Sequence, residues 1–123
     1  MKKIIINSQD QLRFVAQHDI IYCKSDNCYT TLYLNNKDEH VICKSLTKVF
    51  KELDQKVFIK INQSYIVNKH HITMIDKKKK LVELDGSSKV PFTTSIGTLL
   101  ELITENAAIV IFFFLNFSLL MLV

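Results

Sequence analysis

Apolar residues in this chain come in short alternating runs that polar loops keep interrupting, and this limits the fold more than any other feature. The stretch FIKINQSYIVNKHHITMI, from Phe58 to Ile75, shows the pattern. Ile59, Ile61, Tyr65 and Val67 ask for a core. Lys60, Asn62, Gln63, Ser64, Asn68 and Lys69 lie between or beside them. Strand side chains alternate between two faces, so such a run reads as half-buried strands. The density of amides and hydroxyls around Asn62 exceeds what a solvated strand face needs.

The same reading extends along the chain. Ile4–Ile6 and Leu12–Val15 are short apolar pieces separated by Asn7–Gln11, and Ile20–Cys23 is another. Tyr29–Leu34 leads into Asn35-Asn36-Lys37-Asp38, a turn composition, and His40–Cys43 is the returning arm. Further strands are expected at Val57–Ile61, Tyr65–Val67 and Ile72–Ile75, followed by a charged turn at Lys77–Lys80. Leu81–Leu84 and Lys89–Phe92 flank Asp85-Gly86-Ser87-Ser88, where Gly86 can supply a positive φ. Pro91 cannot donate to a ladder, so the last strand belongs at a sheet edge or ends there.

Two segments change period. After Ser45, a good N-cap, Leu46, Val49, Phe50 and Leu53 follow at i, i+3, i+4 and i+7. This predicts an amphipathic helix of about three turns ending near Asp54–Lys56. Thr93, Thr94 or Ser95 caps a second helix, in which Ile96, Leu99, Leu100 and Ile103 repeat the spacing. The expected fold class is mainly β with an α+β character: small stacked antiparallel sheets and two short amphipathic helices.

The C-terminal AAIVIFFFLNFSLLMLV, residues 107–123, carries no charge. As a helix it would be about 26 Å long, just short of a hydrocarbon core; its Phe and β-branched residues also permit a strand. A helix is the expectation. The expected organisation is one domain over residues 1–106 and an apolar tail that packs, anchors the chain to a membrane, or engages a membrane protein.

The chain has 123 residues, 16 Lys and Arg against 12 Asp and Glu, and a formal charge of +4. A modest positive excess fits a polyanionic partner without requiring one. Its three cysteines, Cys23, Cys28 and Cys43, are an odd number without framework spacing, which fits a reducing compartment. The expected location is cytoplasmic, tethered to the inner face of the membrane if the tail is an anchor. No Gly-rich phosphate loop, nucleophile elbow or paired carboxylates argue for catalysis, and no cofactor is expected. His70 and His71, read on a strand, would face opposite ways and could not share a metal ion.

Four blocks, in order, resemble the LytTR DNA-binding domain of bacterial response regulators. They are DIIYCKSDNCYTTLYL, CKSLTKVFKEL, VFIKINQSYIVNKHHITMI and KVPFTTSIGTLLELI. The resemblance implies a transcriptional regulator that binds double-stranded promoter DNA through loops entering the major groove, with a second copy on paired repeats. It also implies the stand-alone form, because 123 residues leave no room for a receiver domain. Carried over by position, the implied DNA-binding residues are Asn27 and Cys28; Lys44 before the first helix; Lys60, Asn62, Gln63, Ser64, Asn68 and Lys69; and Thr93, Thr94 and Ser95. This chain has Asn62 where the family commonly has histidine, and Gln63 where it has arginine or asparagine. Thr94 and Ser95 stand where arginines are frequent. Fewer guanidinium forks mean weaker phosphate anchoring.

Chemistry ranks these residues. Gln63 can pair bidentately with adenine N6 and N7, whereas Lys60 and Ser64 suit phosphates. Read alone, Asn62-Gln63 is also an ordinary polar turn. Asn68, at a strand end, is better suited to bonding backbone groups than DNA. Lys77–Lys80 reads as a solvated turn. Cys28, near Lys residues, is a candidate redox-sensitive thiol.

Overall fold

A computed structural model describes residues 2–104, and residues 107–123, with their expected helix, lie outside the described part. Two compact units divide the chain, Met1–Thr93 and Thr94–Val123.

The first unit contains three antiparallel sheets. β1 (Lys3–Ser8) and β2 (Gln11–Ala16) form a hairpin. The central sheet has β3 (Ile20–Asp26), β4 (Tyr29–Leu34), β5 (Glu39–Ile42), β6 (Phe58–Lys60) and β7 (Tyr65–Asn68), in the order β5-β4-β3-β7-β6. The third sheet is β8 (Ile72–Asp76), β9 (Leu81–Leu84) and β10 (Ser88–Pro91), with β9 in the middle. Pro91 therefore closes an edge strand, where its missing N–H costs no ladder bond.

Cross-strand partners share a face, so the register identifies the core. Cys23 lies opposite both Leu32 and Ile66, and all three are fully buried. Ile4, Ile6, Ile20, Ile42, Leu46, Val49, Leu53 and Phe58 belong to the same apolar cluster. Ile59 and Val67, paired on the other face, are buried as well, as are Val82, Leu84 and Val90 of the third sheet. The central sheet thus has apolar residues withdrawn from water on both faces.

The first helix, α1 (Leu46–Glu52), starts as expected: Ser45 Oγ accepts the Lys48 N–H at 3.2 Å. It is shorter than the apolar spacing predicts. Leu53 is already extended, with φ −85° and ψ 154°, although its side chain stays in the core. The reason is Gln17, a buried residue 35 positions earlier. Its Nε2 donates to the Glu52 carbonyl at 3.4 Å, and its Oε1 accepts the Asp54 N–H at 2.9 Å. A distant carboxamide captures the groups that another turn would need.

Turn chemistry follows the sequence closely. Asp85 and Gly86 have φ of 50° and 75°, and the Ser87 N–H donates to the Leu84 carbonyl at 3.1 Å. Two consecutive positive φ values are what a type I′ hairpin turn requires. The second unit begins with Thr94 and contains α2 (Ile96–Thr104). Ser95 Oγ accepts the Thr98 N–H at 3.2 Å, so Ser95 is the cap among the three candidates.

Candidate nucleic-acid interface

Strand directions collect several loops at one end of the central sheet. The turn between β3 and β4 closes there, with Asp26 opposite Tyr29. Because Thr30 lies opposite Ile42, β5 leaves the sheet at the same end and delivers Cys43, Lys44 and Ser45. The β6–β7 loop also turns there, since Lys60 pairs with Ile66 and Lys24 with Tyr65.

The β6–β7 loop is bonded on both sides. Its Ser64 carbonyl accepts the Ser25 N–H at 2.8 Å, which ties it to β3 just before the Asp26–Tyr29 turn. Its Ile61 carbonyl accepts the Thr93 N–H at 3.0 Å, which ties it to the chain leaving β10. Asn62 adds two bonds: its Oδ1 accepts the Ser64 N–H at 2.6 Å, and its Nδ2 donates to the Pro91 carbonyl. The first of these is an Asx turn, the local geometry that Asn favours.

Between those anchors stands Gln63. It is exposed, and its carboxamide bonds to no other described residue. Ser64 and Thr93 are exposed beside it in the chain and across the bond from Ile61. Asn27 and Cys28 are exposed at the neighbouring turn, where Asn27 takes φ 55°. Asn adopts that conformation more readily than most side chains. Lys60 is half-buried at the end of β6 with no ion pair among the described residues.

Lys44 is placed differently. Its Nζ lies 2.7 Å from Glu52 Oε1, and its carbonyl accepts the Thr30 hydroxyl at 2.8 Å. It remains at the collecting end but is already partnered by a carboxylate.

Two sequence candidates fall elsewhere. Asn68 ends β7 and Lys69 follows it, at the far end of the sheet, where Phe58 pairs with Asn68 and the Lys69 N–H donates to the Val57 carbonyl at 2.9 Å. Asn68 is 1% exposed. Its Nδ2 donates to the Ile20 carbonyl and its Oδ1 accepts the His70 N–H, both at 3.0 Å. The backbone role favoured by its chemistry is the one it has, and its carboxamide is not available to a base. His70 and His71 also differ from the strand reading, because Lys69–His71 forms a single 3-10 turn. There His71 Nδ1 lies 2.7 Å from Asp85 Oδ2, and its Nε2–H donates to the His18 carbonyl at 3.0 Å.

In the second unit, Thr94 Oγ1 is shielded from solvent and has no hydrogen-bond partner among the described residues. The Ser95 hydroxyl caps α2 and also donates to Thr98 Oγ1 at 2.9 Å. These two hydroxyls are therefore less available than the sequence alone implies.

The lysine run gains a location that composition could not give. The Phe92 N–H donates to the Lys80 carbonyl at 3.1 Å, and the next residue, Thr93, donates to Ile61. The exposed Lys77–Lys80 turn thus lies on the side of the third sheet that adjoins the β6–β7 loop. Through Phe92 and Thr93 the turn adjoins the polar rim that the β6–β7 loop forms.

Behind this rim, the central sheet carries a tyrosine group. Tyr22 and Tyr33 stack with centroids 4.3 Å apart, and Lys24 Nζ lies 6.0 Å from the Tyr65 ring centroid. Burial, reinforced by neighbouring Tyr33, Tyr65 and Glu39, pushes the Tyr22 hydroxyl up to about 12, so it stays a neutral donor. Cys23 is buried and its thiol is pushed upward by desolvation, which makes it unreactive, whereas Cys28 and Cys43 are exposed.

Amides, hydroxyls and lysines presented from loops are groups able to contact phosphates and base edges. The chain belongs to the LytTR family: the family model "LytTr DNA-binding domain" matches residues 10–103. Among solved structures, it is similar to one from Bacillus cereus described as the LytTr DNA-binding domain of a methyl-accepting/DNA response regulator. That likeness has a TM-score of 0.68 at 20% identity and covers 85% of this chain and 97% of the other. No match was found among curated proteins.

Proposed function

We propose that this chain is a sequence-specific transcriptional regulator that reads the major groove of promoter DNA with loops at one end of its central sheet. Membership of a DNA-binding family supports the class. The observation that carries the finer reading is the bonded junction of three segments: Ser25 to Ser64, Ile61 to Thr93, and between them an exposed Gln63 whose carboxamide bonds to no other described residue. A carboxamide held at the apex of a fixed loop suits the paired acceptor and donor of adenine. Ser64, Thr93, Lys60 and the Lys77–Lys80 turn supply contacts to phosphate, which orient the protein without reading sequence.

Lys60 provides a direct check on the phosphate assignment. Lys60→Ala is expected to weaken binding to every duplex sequence alike and to reduce the slope of log K against log salt by about one unit. Fluorescence anisotropy at four or more salt concentrations measures this; an unchanged slope removes Lys60 from the interface.

The reading as a whole is tested by selecting bound fragments from random duplex DNA at a fixed salt concentration, with and without residues 107–123. Enrichment of one motif supports sequence-specific reading. Two spaced copies of that motif would add the expected second protein copy, and recovery of random fragments alone overturns the reading.

A further inference from the structure

We infer that Asn62 is a positioning residue for DNA reading, one that acts through Gln63 rather than touching a base itself. The inference rests on the DNA-reading role proposed above. Both ends of the Asn62 carboxamide are occupied within the protein: Oδ1 by the Ser64 N–H at 2.6 Å, and Nδ2 by the Pro91 carbonyl, 29 residues away. A side chain whose acceptor and donor are both engaged has little left to offer a base edge. What it does instead is set the backbone around its neighbour.

The two bonds act on different parts of the interface. The Asx turn fixes the path of the chain across Gln63 and so limits where that carboxamide can point. The bond to Pro91 fastens the loop to the end of β10, one step before the Phe92–Thr93 segment. Together with the Thr93 N–H bond to Ile61, it makes the β6–β7 loop and the chain after β10 one connected surface. Preorganisation of this kind lowers the ordering cost at binding and appears as discrimination between sequences rather than general adhesion.

A double-mutant cycle tests this, with Asn62→Ala, Gln63→Ala and the double variant in the full chain. The DNA is the duplex selected from random sequence and a scrambled competitor. Asn62→Ala is expected to reduce the operator-to-scrambled ratio by about tenfold with an unchanged salt slope, because no phosphate contact is lost. In the Gln63→Ala background, the same substitution is expected to cost less than about twofold, because the residue it positions is gone.

Additive losses would show that Asn62 contacts the base itself, and a salt slope lower by about one unit would show that it contacts phosphate. A shift in thermal midpoint with the ratio unchanged would show that it serves stability alone. Any of these overturns the inference. Should Asn62→Ala fail to fold, Asn62→Ser, which shortens the side chain and cannot span to Pro91 as an amide does, enters the same cycle. A wild-type chain that does not discriminate at all counts instead against the DNA-reading role beneath.

Discussion

Asn68→Ala is expected to lower the free energy of unfolding by about 3 kcal/mol, although the residue lies at the surface-poor end of a four-residue strand. The Asn68 side chain is 1% exposed and holds the Ile20 carbonyl and the His70 N–H, at the start of β3 and just after β7. Alanine removes both partners at once. A buried backbone group left unsatisfied costs about 1–3 kcal/mol, and the vacated volume adds to that. For a domain of this size, the melting temperature should fall by roughly 10–20 °C. Urea unfolding at constant m-value measures the loss. Operator affinity, read well below the melting transition, should stay within about twofold, because Asn68 sits at the end of the sheet opposite the loops proposed to contact DNA. Lost affinity with stability intact would return Asn68 to the contact set.

Gln63→Ala has the opposite profile. Affinity for the selected operator is expected to fall about ten- to a hundredfold, the range that one bidentate base contact supplies. Affinity for scrambled duplex should hardly change, because phosphate contacts dominate nonspecific binding and none is removed. Stability should also be preserved: Gln63 is exposed and its carboxamide bonds to no other described residue. Gln63→Glu offers a sharper version. A carboxylate only accepts, so preference at that position should move away from adenine and toward cytosine, whose N4 donates. Equal losses on operator and scrambled DNA would mean that Gln63 supports binding without reading sequence.

Local chemistry made much of the fold legible before any coordinates. Ser45 and Ser95 cap the helices, Asp85-Gly86 turns the last hairpin, and Pro91 ends an edge strand. Each depends on residues within a few positions of one another, where propensity and spacing carry the information. Where α1 stops was not legible, because Gln17 decides it from 35 residues away. The strand reading of His70 and His71 failed for a related reason: Asn68 Oδ1 captures the His70 N–H and favours a 3-10 turn.

The interface was legible as a set of residue types but not as a place. Nothing local to SDNC, INQS or Phe92-Thr93 says that these segments meet. The order β5-β4-β3-β7-β6 brings the first two together, and the Thr93 bond to Ile61 adds the third. The same topology separates Asn68 from Asn62, although only five residues lie between them in sequence, because β7 carries the chain from one end of the sheet to the other. The place of the Lys77–Lys80 run was not legible either. Its composition fits any solvated turn, and only the Phe92 bond to Lys80 puts it beside the β6–β7 loop.

The most direct test is to follow backbone amide shifts during titration of the full chain with its selected duplex. The amides of Asn27, Cys28, Gln63, Ser64 and Thr93 should move together and saturate at one stoichiometry. Those of Asn68, Lys69 and His70, at the far end of the same sheet, should stay in place. Large shifts centred on Asn68–His71, with the Gln63 loop unmoved, would show that the DNA sits at the wrong end for this account.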